Sequence, residues 1–442
     1  MALPHFPVSC RRAVVTAIAV AGLGSLAFAD EAKQTPFVSS VTRNFQTWDA
    51  DRNGELSKAE IDALFRDPKI TGDDAAAVSA LKLITRSSKI KLPALTVGYF
   101  NDYNAKVIGT IRAETSGDVV DQTTTTEGGG RDASGSQAGP TTKPIDSPAR
   151  WDRYFVAGKK RLSQAGGRQW ASSSFQLESM KQGALGDCFF VASLGSIAKR
   201  RPEQLHKLVV QQTDGSYKAS FPDGKTFSFP KLTDSQIAIS GTSGEGAFLA
   251  VFEQAFGKYR AQLRGKPLDT DGTDVLYTGG DSSNTLQQLT GRQTQRISFG
   301  KNLDVRAENA EKVLPEVRKL LVRNIESHMA ITCGGVIGVK RTKDAKGTEV
   351  TTDKGRLPIV PPAILQNHVY VVTDYDAKAD LVTIWNPHSN TFKPKGTPSM
   401  ENGYVTEGGK FTLPLSEAYQ FYGSFTFETD KPLEKKVDPG VS

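Results

Sequence analysis

The stretch KQGALGDCFFVASLGSIAKRR, from Lys181 to Arg201, decides the fold class of this chain. A turn-forming Gly186-Asp187 pair precedes Cys188, and apolar residues then recur at helical spacing, namely Phe190, Leu194 and Ile197. The pattern predicts a buried helix that begins at Cys188 and ends at the basic cluster before Pro202. A thiol at a helix start lies among unpaired backbone N–H groups, which favour the thiolate. The stretch therefore predicts a nucleophilic cysteine.

The N-terminus has the pattern of a secretory signal peptide, which we assign to residues 1–29. Arg11-Arg12 precedes an apolar run, and Ala27-Phe28-Ala29 supplies a cleavage site before Asp30. We expect a secreted or periplasmic protein, with a retained N-terminal anchor as the alternative. No later window approaches the roughly 20 apolar residues of a membrane span, so we expect none in the mature chain.

Charge and cysteine content narrow the classes of partner and of site. The formal net charge is +7, and the Lys and Arg residues are dispersed, which does not favour a nucleic-acid partner. Of the three cysteines, Cys10 lies in the signal, and Cys188 and Cys333 remain. In an oxidising compartment, a disulfide between these two is the alternative to a free nucleophile.

The segment from Val41 to Pro68 contains a complete EF-hand loop. Acidic or amide side chains stand at alternate positions, a glycine follows at position 6, and a glutamate stands at position 12. A hard cation such as Ca²⁺ prefers oxygen ligands in this arrangement. The predicted ligands are Asp49, Asp51, Asn53, the carbonyl of Glu55, and Glu60. The alternative is an acidic turn that binds no metal.

A second helical pair follows, at Asp73 to Ser87 and Leu92 to Tyr103. At an offset of 36 residues, the ligand positions are occupied by residues without a carboxylate, namely Thr85, Ser87, Lys89 and Thr96. We therefore predict an EF-hand pair at 36–112 whose second hand is structural. The Thr-, Gly- and Ser-rich segment at 113–149 predicts a flexible linker.

A catalytic thiol needs a base and a group that orients the base. The sequence predicts adjacent strands at His368 to Asp374 and at Leu381 to Trp385, and their pairing would bring His368 close to Asn386. The competing bases are His206, His328 and His388. A hairpin between Ser216 and Phe229 and an amphipathic helix over Glu245 to Arg264 are also predicted.

From Trp151 to about Asp430 the chain resembles the papain-like protease core of the calpain family. The resemblance is carried by QGALGDC at Gln182 to Cys188, FEQAFGKY with the later GG and LTG, NHVYVV with IWNP, and GKFTLPLSEAYQFY. It implies that Cys188 is the nucleophile, His368 the general acid and base, and Asn386 the orienting amide. Gln182 matches the oxyanion glutamine of the family, and the alternative is a glutamine that caps the turn.

The chain departs from the family at several positions. Phe189 and His388 stand where the family usually has tryptophan, and the second change removes an apolar shield over the His–Asn hydrogen bond. Glu253 falls on one calcium-ligand position of the family core, whereas Ser179 replaces an aspartate of that site.

Together these patterns predict an α+β fold. A papain-like two-subdomain cysteine protease core, with a helical first subdomain and an antiparallel β second subdomain, would span 150–430, preceded by a small all-α EF-hand domain and followed by a tail at 431–442. The predicted function is an exported calcium-binding cysteine endopeptidase that acts on protein or peptide substrates. The alternatives are an inactive calcium-binding scaffold and a cysteine-dependent acyl transferase or deamidase.

Overall fold

A computed structural model of the chain describes residues 34–86, 92–115, 149–167, 170, 175–243, 246–267, 269–300, 303–335, 341–343, 349–351 and 360–434. The predicted signal, most of the predicted linker and the end of the tail lie outside these residues. None of the helices in the described ranges is long and apolar enough to cross a membrane.

Four helices precede the predicted linker: α1 (Pro36–Trp48), α2 (Lys58–Phe65), α3 (Gly72–Thr85) and α4 (Val97–Thr115). Ser57 caps α2 in a reciprocal capping box with Glu60, and Thr96 caps α4 by accepting the Tyr99 N–H at 3.1 Å. The backbone N–H of Leu56 donates to the Leu95 carbonyl at 3.0 Å. This bond pairs positions 39 residues apart, so the alignment of the two hands at an offset of 36 is wrong. Tyr99 is the counterpart of Glu60.

These helices pack directly on the segment after the linker, which begins with α5 (Arg150–Ala165). The ring of Phe37 stacks on Trp151 with centroids 5.5 Å apart. The Ser79 hydroxyl donates to the Ser235 carbonyl at 2.8 Å, which joins α3 to α8 (Asp234–Ile239). The predicted helical domain therefore shares one apolar cluster with the first half of the protease core.

The first half of the core is mainly helical. Its further elements are β1 (Met180–Lys181), α6 (Cys188–Arg200), α7 (Pro202–Leu208), β2 (Val209–Gln211), β3 (Tyr217–Ser220), β4 (Thr226–Phe229), β5 (Thr242–Ser243), α9 (Phe248–Leu263), α10 (Thr273–Leu276) and α11 (Ser282–Thr290). The predicted hairpin is confirmed by the antiparallel pairing of β3 with β4, and the amphipathic helix is confirmed as α9.

The second half is built on an antiparallel sheet. Its elements are β6 (Arg292–Ser298), α12 (Leu303–Glu326), β7 (Ile331–Gly334), β8 (Arg341–Lys343), β9 (Glu349–Thr351), β10 (Val369–Asp376), β11 (Leu381–Trp385), β12 (Lys410–Pro414), α13 (Leu415–Phe421) and β13 (Ser424–Pro432). Six of the strands form one sheet in the order β12-β11-β10-β7-β13-β6, with every neighbouring pair antiparallel. A second apolar cluster covers this sheet. The predicted mixture of helices and an antiparallel sheet is confirmed.

Helix α6 lies between the two halves because small residues allow close approach. A Cβ on Gly195 would lie 2.7 Å from Leu177 and 3.5 Å from Trp385, so glycine lets α6 pack against β11. A Cβ on Gly183 would lie 2.2 Å from the Ser240 carbonyl oxygen, a distance that no side chain tolerates. Glycine at 183 therefore fixes the path of the turn that leads to Cys188.

Candidate active site

Cys188 is the first residue of α6, as predicted, and it is half-buried. The N–H groups of Phe190 and Val191 bond to the Asp187 carbonyl at 2.7 and 3.0 Å, which closes the first helical turn. In the part of the chain that the structure describes, neither Cys188 nor Cys333 forms a disulfide. The disulfide alternative is therefore wrong. Cys333 is buried on β7, and burial raises the pKa of its thiol well above the ordinary value.

His368 and Asn386 lie at the adjoining ends of β10 and β11, which pair antiparallel as predicted. The pairing of β10 with β11 places Val371 opposite Trp385. His368 and Asn386 lie just beyond the paired residues, at the same end of the two strands. The Nε2 atom of His368 and the Oδ1 atom of Asn386 are 2.8 Å apart, and both side chains are buried. The structure thus brings together the predicted base and its orienting amide.

The hydrogen bonds of Asn386 decide which nitrogen of His368 carries the proton. Nδ2 of Asn386 donates to Oδ1 of Asn390 at 2.9 Å, and the His388 N–H donates to Oδ1 of Asn386 at 3.0 Å. Oδ1 of Asn386 is therefore an acceptor, and Nε2–H of His368 must be the donor. This tautomer leaves Nδ1 of His368 with a free lone pair, which can accept a proton from a thiol.

His388 covers the His368 side of this pair. The two imidazole rings are stacked, with centroids 4.8 Å apart and planes at 8°. The imidazole of His388 therefore provides a planar cover where the family usually has the apolar tryptophan. The other competing histidines lie elsewhere: His206 packs on Phe175, and His328 follows the end of α12 with a φ of 53°.

Burial holds both stacked histidines neutral at pH 7. Burial, followed by the neighbouring His388, lowers the pKa of His368 well below its ordinary value, against a smaller raising effect of Asn386. Burial and then Lys181 lower the pKa of His388 to about 4. The resting His368 is thus the neutral form that a general base requires.

The depressed pKa of His388 predicts a pH dependence of stability. As pH falls from 6.5 to about 4, the unfolded chain takes up a proton at His388 that the folded chain does not. The free energy of unfolding should be fully retained above pH 6.5 and should fall across this window. In His388→Phe the free energy of unfolding should fall less, because the contribution of about one proton is removed. Thermal unfolding from pH 4 to 8 measures this difference. Parallel curves for the two proteins would contradict this account.

Gln182 lies beside the turn that carries Cys188 and is buried. Its Nε2 donates to the Leu185 carbonyl at 2.8 Å, and its Oε1 is buried with no hydrogen-bond partner among the described residues. The bond to Leu185 is the turn cap that was the alternative role for this glutamine. The side chain of Gln182 also faces Asp187.

Two hydrogen bonds join the segment before Cys188 to the loop that carries Asn386. The Gln182 N–H donates to the Pro387 carbonyl at 2.8 Å, and the Ser389 hydroxyl donates to the Met180 carbonyl at 2.9 Å. The ring of Tyr370 meets His368 edge-on at 4.9 Å. Burial, followed by the thiols of Cys333 and Cys188, raises the pKa of the Tyr370 hydroxyl. Tyr370 is therefore a neighbour of both His368 and Cys188.

The predicted calcium loop has the geometry of an oxygen cage. Ligand oxygens of Asp49, Asp51 and Glu60 lie within 4.8 Å of one another. Asp49 accepts the Gly54 N–H at 2.8 Å, and Gly54 has a φ of 86°, which the sharp turn requires. Oε1 of Glu60 accepts the Ala50 N–H at 2.7 Å, which closes the loop end to end. The donor set, all oxygen, fits a hard cation.

Sequence reasoning missed a buried cluster behind the Cys188 turn. Glu253 is fully buried, and both of its carboxyl oxygens accept the Gly241 N–H at 2.9 Å. Asp187, directly before Cys188, faces Glu253. Arg86, at the end of α3, donates to the Ala184 carbonyl at 3.4 Å. The signal in the sequence was the pair of acids in apolar surroundings; nothing in it pointed to Arg86.

A cysteine at a helix start and a hydrogen-bonded histidine–asparagine pair are elements that cysteine hydrolases use. Residues 150–402 match the model of the calpain family of cysteine proteases. The chain belongs to this family and carries its cysteine protease domain, a class that acts on proteins. Comparison with curated proteins finds no match.

Proposed function

We propose that the chain is an exported cysteine endopeptidase that hydrolyses peptide bonds through Cys188, His368 and Asn386 and binds calcium in its EF-hand loop. The observation that carries the proposal is the 2.8 Å bond between His368 and Asn386, which leaves Nδ1 of His368 free to act on Cys188. The signal-like residues 1–29 support export to a secreted or periplasmic location. N-terminal sequencing of the mature protein should start at Asp30, and an intact Met1 would contradict export with cleavage.

The hydrolysis proceeds in two steps. Nδ1 of His368 takes the Cys188 proton, and the sulfur attacks the peptide carbonyl carbon. The imidazolium then gives its proton to the leaving amine, which leaves an acyl group on Cys188 as a thioester. Water, deprotonated by His368, attacks the thioester, and the released thiolate is reprotonated. Asn386 keeps the imidazole ring in the tautomer and orientation that both steps need.

Gln182 and the backbone N–H of Cys188 would stabilise the oxyanion of each tetrahedral intermediate. Nε2 of Gln182 would be the side-chain donor, while the bond to Leu185 holds the amide in place. Loss of one such donor typically raises the barrier by about 2.7 to 4 kcal/mol.

The EF-hand loop would hold Ca²⁺ through Asp49, Asp51, Asn53, the Glu55 carbonyl and Glu60. Its contribution is structural: the ion would link α1 to α2 through Asp49 and Glu60. Helix α1 packs on α5, and α2 packs on α3, which in turn contacts α5 and α8.

Calcium is expected to raise the unfolding temperature of the protein. At a calcium concentration 100 times the dissociation constant, the folded state gains about 2.7 kcal/mol. Glu60→Gln should remove most of this gain, since position 12 binds through both carboxylate oxygens, yet glutamine keeps an acceptor for the Ala50 N–H. The matched control is Asp67→Asn, which makes the same charge change outside the loop and keeps an acceptor for the Lys69 N–H. Equal calcium responses of the two variants would contradict the site.

The proposed activity is tested with a denatured casein-like substrate and mass spectrometry of the products. Internal cleavage with new free termini is expected. Products joined to an added amine would indicate an acyl transferase, glutamine-to-glutamate conversion would indicate a deamidase, and an unchanged substrate would favour the inactive scaffold. Each of these three results would overturn the endopeptidase proposal.

A further inference from the structure

Three charged side chains meet behind the turn that carries Cys188. Asp187 and Glu253 are both 0 % exposed. Arg86 reaches this turn from the end of α3, where its Nη2 donates to the Ala184 carbonyl and its guanidinium lies 4.8 Å from the centre of the Tyr277 ring. The Tyr277 hydroxyl donates in turn to the Arg86 carbonyl at 3.3 Å. Arg86 is thus held on both sides and lies outside the region that matches the family model.

The polar atoms of this cluster lack ordinary partners. Asp187 precedes the first residue of α6, yet its side chain does not cap the helix, and neither of its oxygens has a well-oriented hydrogen bond among the described residues. Nη1 of Arg86 is buried and equally unpaired. Buried charges without hydrogen bonds are costly unless an opposite charge balances them. Asp187 faces the side chains of Glu253, Arg86 and Gln182, and Arg86 is the cation among them that can balance its charge.

Charge balance fixes the protonation of the two acids. One guanidinium can balance one carboxylate, so the second carboxyl must hold a proton. Burial raises the pKa of Asp187 to about 7, against the lowering effects of Glu253 and Arg86. Burial and then the charge of Asp187 raise the pKa of Glu253 well above its ordinary value. Glu253 is consequently the protonated acid near neutral pH, and the guanidinium of Arg86 balances the negative charge of Asp187.

The other charged groups around the cluster are already paired. Arg86 also faces Tyr154, Tyr277 and Asp274. Asp274 is bonded to the buried Lys82 at 2.6 Å, so its charge is balanced from α3. Glu253 faces the Ser240 hydroxyl and the Gly241 N–H in addition to Asp187. No other described charge is available to replace Arg86 beside Asp187.

We infer that Arg86 is a positioning residue of the active site: with Asp187 and Glu253 it completes a neutral buried cluster that fixes the turn bearing Gln182 and Cys188. Arg86 belongs to the helices ahead of the core, so these helices complete the active site and are not a dispensable attachment. The inference rests on the proposed catalytic role of Cys188.

The test compares Arg86→Met with Arg66→Met in the full chain. Both arginines cap the C-terminal end of a helix, but Arg66 is exposed and its Nε donates to the Asp62 carbonyl at 3.1 Å. Without Arg86, the folded pKa of Asp187 rises further, so stability should be lost as pH rises through that pKa. At pH 8 we expect Arg86→Met to unfold about 10 °C lower than wild type, with a smaller difference at pH 6. Arg66→Met should show only a small shift that does not depend on pH.

The double variant Arg86→Met/Asp187→Asn separates charge balance from simple loss of packing. Removing the unbalanced carboxylate should restore much of the unfolding temperature at pH 8. It should also restore the iodoacetamide reaction rate of Cys188, which we expect to be about tenfold lower in Arg86→Met. If Arg86→Met does not fold, folding of the double variant alone supports the inference.

The inference is overturned if Asp187→Asn adds its own loss to that of Arg86→Met, if neither protein folds, or if Arg66→Met behaves like Arg86→Met. Unfolding temperature and thiol alkylation need no peptide hydrolysis. A wild-type protein that fails to cleave casein would therefore reject the proposed peptidase function while leaving this test intact.

Discussion

Replacement of Cys188 by alanine is expected to lower kcat/KM for a denatured protein substrate by about 10⁴-fold or more. In the proposed mechanism the sulfur of Cys188 forms the acyl bond, and the other described thiol cannot replace it, because Cys333 is buried on β7 with a raised pKa. Alanine fits the first position of α6, so the unfolding temperature should change little. The measurement is the rate of appearance of new amino termini at saturating and at low substrate concentrations.

Two controls define this result. Cys333→Ala should keep most of its activity, since it changes the other described cysteine, which is buried on β7. The double variant Cys188→Ala/His368→Ala should lose no more than Cys188→Ala, because the two residues act as one unit. Hydrolysis by Cys188→Ala at the wild-type rate would show that the nucleophile lies elsewhere.

Replacement of His368 by alanine is expected to lower kcat by roughly 10²- to 10⁴-fold, the usual contribution of a general acid and base. Substrate binding should change less, so KM should stay close to the wild-type value. Asn386→Ala should give a smaller loss in kcat. His368 would still accept a proton at Nδ1 and would lose only the hydrogen bond that sets its tautomer.

The matched control for His368 is His206→Gln. His206 lies at the end of α7 against Phe175, and it is the competing base nearest in sequence to the nucleophile helix. The His206→Gln variant should retain its activity and should lose a small amount of stability. A larger loss of kcat in His206→Gln than in His368→Ala would show that His206, and not His368, is the base.

Local patterns predicted much of this fold and part of its site. The alternation in Val369–Asp376 and Leu381–Trp385 was sufficient to place two paired strands, and strand pairing then placed His368 beside Asn386. The start of α6 at Cys188 followed from the Gly-Asp turn and the helical spacing after it. These features depend on residues that are close in sequence or joined by one hairpin.

Features that depend on packing between distant segments were missed or misplaced. The offset between the two hands is set by the backbone bond between Leu56 and Leu95, which helix patterns do not encode. The stacking of His388 on His368 depends on how the chain turns after Pro387. The meeting of Arg86 with Asp187 requires α3 to pack against the core, so no local pattern could reveal it.

The roles of Cys188, His368 and Asn386 are tested most directly by reaction with a peptidyl epoxide, followed by mass spectrometric location of the adduct. We expect one adduct per chain, on Cys188 and not on Cys333, with a rate that falls strongly in His368→Ala and less in Asn386→Ala. Equal labelling of Cys188 and Cys333, or a rate on Cys188 that does not change when His368 is replaced, would contradict these roles.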